Sequence, residues 1–242
     1  MNRKTINLEK TNAVVFKDGD INMYFTTAEN GIDFRRDSEK FKENISTLKN
    51  ILGLKNFYYL NQTHSDIVLE ATIGNVNSNL GEGDALITQN KNTAIGVFTA
   101  DCVPVIMYDK TLDLIGAIHS GWKGTFNEIS LKTLNKFIEK DSKVEDIKVY
   151  IGAHICEKCY EVSEELVGKF KEKDIYENKN ISNGRYLSLE KCIKETLKNA
   201  GVLSENIKSL ELCTYCEKDI KLHSFRKDKD NSGRLLSFVF IK

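Results

Sequence analysis

The sequence is poor in several features, and each shortage narrows its possible roles. Its 242 residues include a single proline, Pro104, and the 35 basic side chains are balanced by 35 acidic ones. No repeat or Pro/Gly/Ser-rich linker divides the chain, which predicts one domain over residues 1–242. The neutral balance argues against the basic surface that nucleic-acid binding requires, so we expect no nucleic-acid partner.

Long apolar runs are also missing. None approaches the roughly 18 residues that span a bilayer, and the first sixteen residues lack the hydrophobic region of a signal peptide. We therefore expect a cytoplasmic protein with no membrane partner. In that reducing compartment, the six cysteines are expected to be thiols or metal ligands rather than disulfides.

Short apolar runs rich in β-branched and aromatic residues predict strands at 13–16, 22–26, 57–60, 67–71, 85–88, 94–99, 103–108, 114–118, 147–151, 207–212 and 235–241. A three-four spacing of apolar residues predicts helices at 37–52, 125–138, 163–170 and 188–199. Asp37 or Ser38 is expected to cap the first helix and Gly53 to end it. Hairpins mixed with strand–helix–strand units predict an α+β fold, a layered domain of mixed sheets flanked by helices.

Three potential metal ligands lie at strand ends or in the loops beside them. They are His64 in a polar turn, Cys102 between two buried strands, and His119 at the end of the run LIGAIH. Two imidazoles and a thiolate can bind zinc and leave a fourth position for water. Their spacing forms no local metal motif, and a buried cysteine is more often a small core residue. The residues alone leave both interpretations open.

Neighbouring residues strengthen the case for a site. Asp84 and Asp101 bring carboxylates into apolar segments, where a buried carboxylate needs a partner. The segment from Gly121 to Thr125 turns a strand into a helix, and free amides at a helix start attract anions. Lys123 adds a positive charge there. A plain glycine turn with a solvated lysine is the alternative interpretation.

The runs NQTHSD, GDALIT, TADCVP, IHSGWKGT, IGAHICEKCYEV and SFRKDKDNSGR occur in this order from Asn61 to Arg234. Together they resemble the YfiH/YlmD laccase-domain family. The resemblance implies a zinc site formed by His64, Cys102 and His119. It also implies phosphorolysis of adenosine, inosine and 5'-methylthioadenosine, deamination of adenosine, and a possible homodimer.

The activities implied by the resemblance need further residues, for which we form our own hypotheses. We expect Asp101 to shuttle protons during deamination, and Gln62, Lys123 and Arg226 to contact substrate or phosphate. Lys123 stands where the family usually has arginine, and lysine lacks the bidentate fork of a guanidinium. A surface ion pair is the competing interpretation of Arg226. Arg35 and Arg36 receive no role from the sequence.

Two other chemistries use the same residues. Copper(II) can bind two histidines and a cysteine, which would support polyphenol oxidation. A multicopper oxidase also needs a trinuclear cluster built mostly from imidazoles, and the chain has only four histidines. Alternatively, Cys102 is the nucleophile of a cysteine hydrolase, with His119 or His64 as its base.

The remaining cysteines include two C-x-x-C pairs, Cys156 with Cys159 and Cys213 with Cys216. These pairs can form a four-thiolate structural zinc site. The 53 residues between them exceed the usual spacing of such sites, which favours packed or exposed thiols in two loops. The sequence leaves the question of a second metal open.

Overall fold

A computed structural model describes residues 4–8, 11–72 and 78–242. The strands in these ranges are β1 (Lys4–Leu8), β2 (Thr11–Asp18), β3 (Ile21–Thr26), β4 (Asn56–Asn61), β5 (Val68–Glu70), β6 (Asn79–Glu82), β7 (Ala85–Thr88), β8 (Thr93–Thr99), β9 (Val103–Asp109), β10 (Leu114–Ser120), β11 (Lys148–Ile151), β12 (Ser182–Asn183), β13 (Tyr186–Leu187), β14 (Ile207–Ser209) and β15 (Leu235–Ile241). The α-helices are α1 (Phe41–Leu52), α2 (Trp122–Phe126), α3 (Ile129–Ile138), α4 (Glu164–Lys171), α5 (Leu189–Asn199) and α6 (Phe225–Asp228).

Two large mixed sheets form the centre of the molecule. The first has seven strands in the order β1-β2-β3-β15-β8-β4-β6, and the second has six in the order β14-β11-β9-β10-β7-β5. Most neighbours are antiparallel, but β4 pairs in parallel with both β6 and β8, as do β11 with β14 and β5 with β7. The prediction of mixed sheets flanked by helices is confirmed.

Alternation of side chains along the strands produces four layers. Val14 on β2 and Ile106 on β9 belong to the apolar cluster between the two sheets. Val15 faces the opposite way, towards α1, while Val105 packs with α3 and α5 on the outer face of the second sheet. Because successive side chains of a strand point to opposite faces, the central strands are apolar on both. The order of layers is α1, first sheet, second sheet, and α3 with α4 and α5.

The first predicted helix differs from α1 at its beginning. Asp37 and Ser38 precede the helix, which begins at Phe41, and Lys40 at the N-cap makes no side-chain capping bond. The predicted cap at Asp37 or Ser38 is therefore wrong. Gly53 ends the helix as expected, because its φ of 67° lies in the left-handed region that glycine tolerates without a Cβ clash.

The predicted helix 125–138 is two helices. Glu128 adopts a left-handed conformation with φ 61° and ψ 41° between α2 and α3, and its carboxylate pairs with Lys173 at 2.6 Å. No pattern of neighbouring residues predicted this ion pair, because it forms only in the tertiary structure. Strands β5 and β14 are shorter than predicted, and β1, β6, β12, β13 and α6 were not predicted.

Candidate metal centre and active-site cleft

His64, Cys102 and His119 converge from three different parts of the chain. His64 lies in the turn after β4, Cys102 follows β8, and His119 is near the end of β10. One potential ligand atom from each lies within 4.8 Å of those of the other two, and His64 Nε2 is 3.8 Å from Cys102 Sγ. The two imidazole rings meet edge to face, with centroids 4.9 Å apart. The structure therefore brings the three predicted metal ligands together.

The buried carboxylate of Asp84 positions both histidines. His119 Nδ1–H donates to Asp84 Oδ1 at 2.7 Å, and the backbone N–H of His64 donates to the same oxygen at 3.1 Å. Asp84 Oδ2 accepts the N–H of Thr63 at 3.2 Å and both the N–H and hydroxyl of Ser65 at 2.6 Å. With Nδ1 of His119 protonated and bonded to Asp84, Nε2 keeps the lone pair that a metal needs.

Gly121 makes room for this cluster. A Cβ at this position would lie 2.8 Å from His64 Cδ2 and 3.0 Å from Cys102 Sγ. Both distances are far below ordinary carbon–carbon or carbon–sulfur contact, so any larger residue would displace two ligands. The absence of a Cβ at Gly121 thus permits the close approach of the His64 and Cys102 side chains.

The charges of the metal-free cluster favour a thiolate beside an imidazolium. Burial raises the pKa of Cys102, but the neighbouring His119 and His64 rings lower it to about 6. Burial lowers the pKa of His119, whereas the Cys102 thiolate and Asp84 raise it to about 9. The pKa of Asp84 is raised by burial but falls to about 2 through hydrogen bonds from His119 and Ser65.

The donor set fits one divalent ion. Two imidazole nitrogens and a thiolate sulfur suit zinc and also copper(II), and three protein ligands leave a fourth position for water or substrate. A trinuclear copper cluster does not fit. The other two histidines bind protein groups elsewhere: His154 contacts the Gly152 carbonyl and Glu190, and His223 contacts the Ile32 carbonyl.

The cluster opens into a cleft of about 730 Å3. Its volume lies in the usual range of small-molecule sites. Residues from six parts of the chain line it: Phe34, Arg35, Arg36, Asp37, Gln62, His64, Phe98, Thr99, Ala100, Asp101, Cys102, His119, Ile155, Tyr160, Phe225, Arg226, Asp230, Ser232 and Arg234. Aromatic rings, guanidinium groups and metal ligands therefore face one volume.

Asp101 lines the cleft and is strongly hydrogen-bonded. Its Oδ1 accepts the hydroxyls of Thr214 at 2.6 Å and Ser224 at 2.7 Å, and Oδ2 accepts the backbone N–H of Arg226 at 2.5 Å. These contacts connect three loops and favour a positioning role. The role of Asp101 as a proton shuttle stays a prediction.

Gln62 also lines the cleft but uses its amide on the backbone. Its Nε2–H donates to the Phe98 carbonyl at 2.8 Å, and its Oε1 accepts the Phe98 N–H at 2.8 Å. This pair of bonds fixes the end of β4 against β8. The contact between Gln62 and substrate stays a prediction.

The two predicted phosphate anchors lie in different surroundings. Arg226 lines the cleft, with its guanidinium 5.3 Å from the Tyr160 ring centre and one N–H donating to the Glu161 carbonyl at 3.0 Å. Lys123 is exposed, its ammonium 5.7 Å from the Trp122 ring centre, and it is not among the described residues lining the cleft.

Three cleft arginines have no carboxylate partner among the described residues, namely Arg36, Arg226 and Arg234, whereas Arg35 pairs with Asp33 at 2.7 Å. Sequence reasoning noticed Arg35 and Arg36 but gave them no function. It missed Tyr160, Phe225 and Arg234, although Phe225 adjoins Arg226 in a segment already recognised. Only their tertiary position reveals that they share a cleft with the metal ligands.

The fold and site define a mixed-sheet protein in which two histidines and a cysteine that could hold a metal ion lie at a cleft. Residues 15–242 match the family described as multi-copper polyphenol oxidoreductase laccase, and the chain belongs to that family. The YfiH protein of Bacillus licheniformis, described as hypothetical, has a TM-score of 0.88 at 25% identity and covers 98% of each chain. YlmD of Geobacillus stearothermophilus has a TM-score of 0.85 at 22% identity over 100% of both chains, which shows the shared fold.

The similar curated proteins include named enzymes. A purine nucleoside phosphorylase of Clostridium acetobutylicum is 44% identical over 243 residues, which cover 100% of both chains. The adenosine deaminase RL5 of an unknown prokaryotic organism is 32% identical over 164 residues, covering 66% of this chain and 62% of that protein. The recognised family resemblance and the expectation of an enzyme are confirmed.

Replacement of Asp84 by Asn should weaken metal binding about 10- to 100-fold, the usual effect of losing a carboxylate that supports a histidine ligand. The amide can donate to His119 Nδ1 and so move the ring proton to the metal-binding nitrogen. Competition with a chelator would measure the affinity of the cluster of His64, Cys102 and His119 for its ion. Asp66→Asn is the matched control, because Asp66 pairs with exposed Lys132 outside the cluster. Equal affinities in both variants would contradict the role of Asp84.

Alkylation of Cys102 in the metal-free protein should depend on pH. The thiolate is the reactive form, so its rate with iodoacetamide should be low below pH 6, rise through a pKa of about 6 and level off above it. Mass spectrometry of the Cys102 peptide would measure the rate, with glutathione as a reference thiol. A midpoint near the ordinary thiol value of about 8.5 would contradict the thiolate–imidazolium pair.

Proposed function

We propose that this chain is a zinc-dependent purine nucleoside phosphorylase that also deaminates adenosine. Its substrates would be adenosine, inosine and 5'-methylthioadenosine, and its phosphorolysis products the free base and ribose 1-phosphate or methylthioribose 1-phosphate. The names of the relatives support purine nucleoside chemistry. The observation that carries the proposal is the opening of the His2Cys cluster into a cleft with both aromatic rings and arginines that have no carboxylate partner among the described residues.

The aromatic residues suit a purine base. Phe225 lines the cleft with 44% of its surface exposed, so part of its ring is accessible to a ligand. Stacking of a nucleobase on such a ring contributes about 1–3 kcal/mol. The Arg234 guanidinium lies 6.0 Å from the Phe225 ring centre on this side of the cleft. Base and anion sites would therefore be neighbours.

The arginines suit phosphate. Arg36, Arg226 and Arg234 each bring a guanidinium into the cleft without an acidic partner among the residues described, and guanidinium groups bind phosphate through paired hydrogen bonds. In phosphorolysis, a phosphate oxygen forms the new bond to C1' while the bond from C1' to the base nitrogen breaks. The base leaves with the electron pair and takes up a proton.

His64, Cys102 and His119 would hold the metal ion, with zinc as the proposed occupant and copper(II) as an alternative at the same position. When bound, a divalent ion supplies Lewis-acid activation of water or of a substrate oxygen. The protein's contribution is orientation, because Asp84 fixes the His119 tautomer and the turn that carries His64. Tyr160 and Phe98 line the same cleft and provide apolar surface beside the cluster.

We also propose that residues 1–242 act as one cytoplasmic domain, without nucleic-acid or membrane partners and with a homodimer as the expected assembly. The balanced charge and the packing of both sheets on a common apolar cluster support this view. In the part of the chain that the structure describes, no helix is long and apolar enough to cross a membrane.

One observation favours a cysteine hydrolase as a second candidate function. The lowered pKa of Cys102 and the raised pKa of His119 are the pattern of a thiolate nucleophile beside its base, with Asp84 orienting the imidazole. A chelator should abolish the activity of a metal enzyme, whereas it should leave a thiol hydrolase active. Alkylation alone does not separate the two, because Cys102 is essential to both.

Incubation of the purified protein with adenosine, with and without phosphate, should separate the reactions. We expect adenine and ribose 1-phosphate to form only with phosphate, and inosine to form without it. Cys102→Ala should abolish both reactions together, because both would depend on the same metal, whereas Cys192→Ala in α5 should preserve them. Liquid chromatography of the products provides the measurement. Survival of either reaction in Cys102→Ala would contradict a shared metal centre.

Arg226→Gln should raise the KM for phosphate about 10- to 100-fold, since a hydrogen bond to a charged group contributes about 1.5–3 kcal/mol. Deamination, which uses no phosphate, should change far less. Lys123→Gln is the comparison, because Lys123 lies outside the described lining of the cleft. Initial rates at varied phosphate would measure both variants. A larger effect at Lys123 would show that phosphate binds at the start of α2 instead.

A further inference from the structure

A second group of potential metal ligands lies outside the His2Cys cluster. Cys156, Cys159, Cys213 and Cys216 each offer a sulfur atom, and these atoms all lie within 4.8 Å of one another. The 53 residues that separate the two C-x-x-C pairs include α4 and α5. The fold brings the pairs together because His154 and Cys213 form a parallel β-bridge.

Each C-x-x-C pair lies on a tight turn. The backbone N–H groups of Cys159 and Tyr160 both donate to the Cys156 carbonyl at 3.0 Å, and the N–H of Glu217 donates to the Cys213 carbonyl at 3.0 Å. Such turns bring the first and last side chain of each pair to the same side. Two turns facing each other then present four sulfur atoms to one point, the arrangement of a tetrathiolate site.

The distances suit a tetrahedral ion. Four sulfurs at about 2.3 Å from zinc would lie about 3.8 Å from one another, so separations of up to 4.8 Å need adjustments of an ångström or less. No disulfide joins these residues, since all four are free thiols. Without an ion, two pairs of thiols would remain close together with solvent access at Cys216, the exposed member.

A backbone donor and charged side chains of both signs lie around the cluster. The N–H of Cys156 points at Cys213 Sγ from 3.3 Å, a bond that stabilises a thiolate more than a neutral thiol. Four thiolates and Zn2+ carry a net negative charge. Lys158 and Lys218 line the adjoining surface cleft and have no carboxylate partner among the residues described, and acidic side chains such as Glu217 and Asp219 line the same cleft.

We propose that Cys156, Cys159, Cys213 and Cys216 bind a structural zinc ion that is separate from the His64, Cys102 and His119 centre. All four coordination positions are filled by sulfur, so this ion has no open position for substrate. Its function is to join the loop after β11 to the loop after β14. Soft thiolate ligands in this number select zinc over magnesium, calcium or manganese.

The proposed ion would also hold one wall of the active-site cleft. Tyr160, which follows Cys159, lines that cleft. Thr214, which follows Cys213, donates to Asp101 at 2.6 Å, and Asp101 accepts the Arg226 N–H. Loss of the ion should therefore loosen both Tyr160 and Arg226. This consequence for substrate binding rests on the proposed function, whereas the existence of the metal site does not.

Metal analysis of Cys102→Ala tests the site without any activity. After expression with zinc and dialysis to remove loosely held ions, this variant should retain one zinc ion per chain. X-ray absorption should show a shell of sulfur alone at about 2.3 Å. Cobalt substituted into the same variant should show the intense visible bands of a tetrathiolate. A zinc-free variant, a shell containing nitrogen or oxygen, or disulfides in a non-reducing mass spectrum would overturn the proposal.

The converse variant is Cys156→Ser combined with Cys213→Ser. It should lose one zinc ion per chain relative to the wild type, and the remaining ion should depend on Cys102. Cys192→Ser is the matched control, since Cys192 is free but lies in α5, and it should keep both ions.

If the proposed function also holds, the double variant should raise the KM for nucleoside more than it lowers kcat. Unchanged zinc content would overturn the site, whereas an unchanged KM with lost zinc would overturn only its effect on the cleft. Should the double variant not fold, the result from Cys102→Ala decides alone.

Discussion

The site depends on one buried charge, the carboxylate of Asp84. It is fully shielded from water, and such a charge is strongly unfavourable without partners. The amides of Thr63, His64 and Ser65 and the imidazole of His119 provide them. Because these donors cannot leave the carboxylate without a large free-energy cost, the turn after β4 stays fixed against the end of β10. The same contact that stabilises the fold therefore aligns two metal ligands.

A second carboxylate, that of Asp101, holds together loops that line the cleft. Asp101 joins Thr214, Ser224 and the start of α6 through three short hydrogen bonds, and its own φ of 92° is strained for a residue other than glycine. That conformation occurs at the junction of β8 and β9, immediately before Cys102. Asp84 therefore positions the two histidines, whereas Asp101 positions the loops that face the proposed substrate.

The family description and the names of the relatives point to different chemistries, and the site shows why both have arisen. A His2Cys set can bind copper as well as zinc, so oxidase chemistry is compatible with the ligands taken alone. His154 and His223 are engaged with protein groups away from the cluster, which leaves a mononuclear centre. The arginines and aromatic rings of the cleft are the residues that we propose to bind an anion and a flat base. One fold can host different activities, so the choice between them rests on such residues around the cluster.

Local sequence predicted most of the longer strands and helices, because apolar periodicity and end signals such as Gly53 act over a few residues. The motif resemblance singled out His64, Cys102 and His119 as expected metal ligands. Their spacing along the chain left that role undecided. Tertiary structure decided the break at Glu128, the engagement of Gln62 with the backbone, and the approach of Cys156 to Cys213 across 57 positions. The physical reason is distance along the chain: these contacts form only after the sheets pair, and no pattern of neighbouring residues encodes which remote groups will meet.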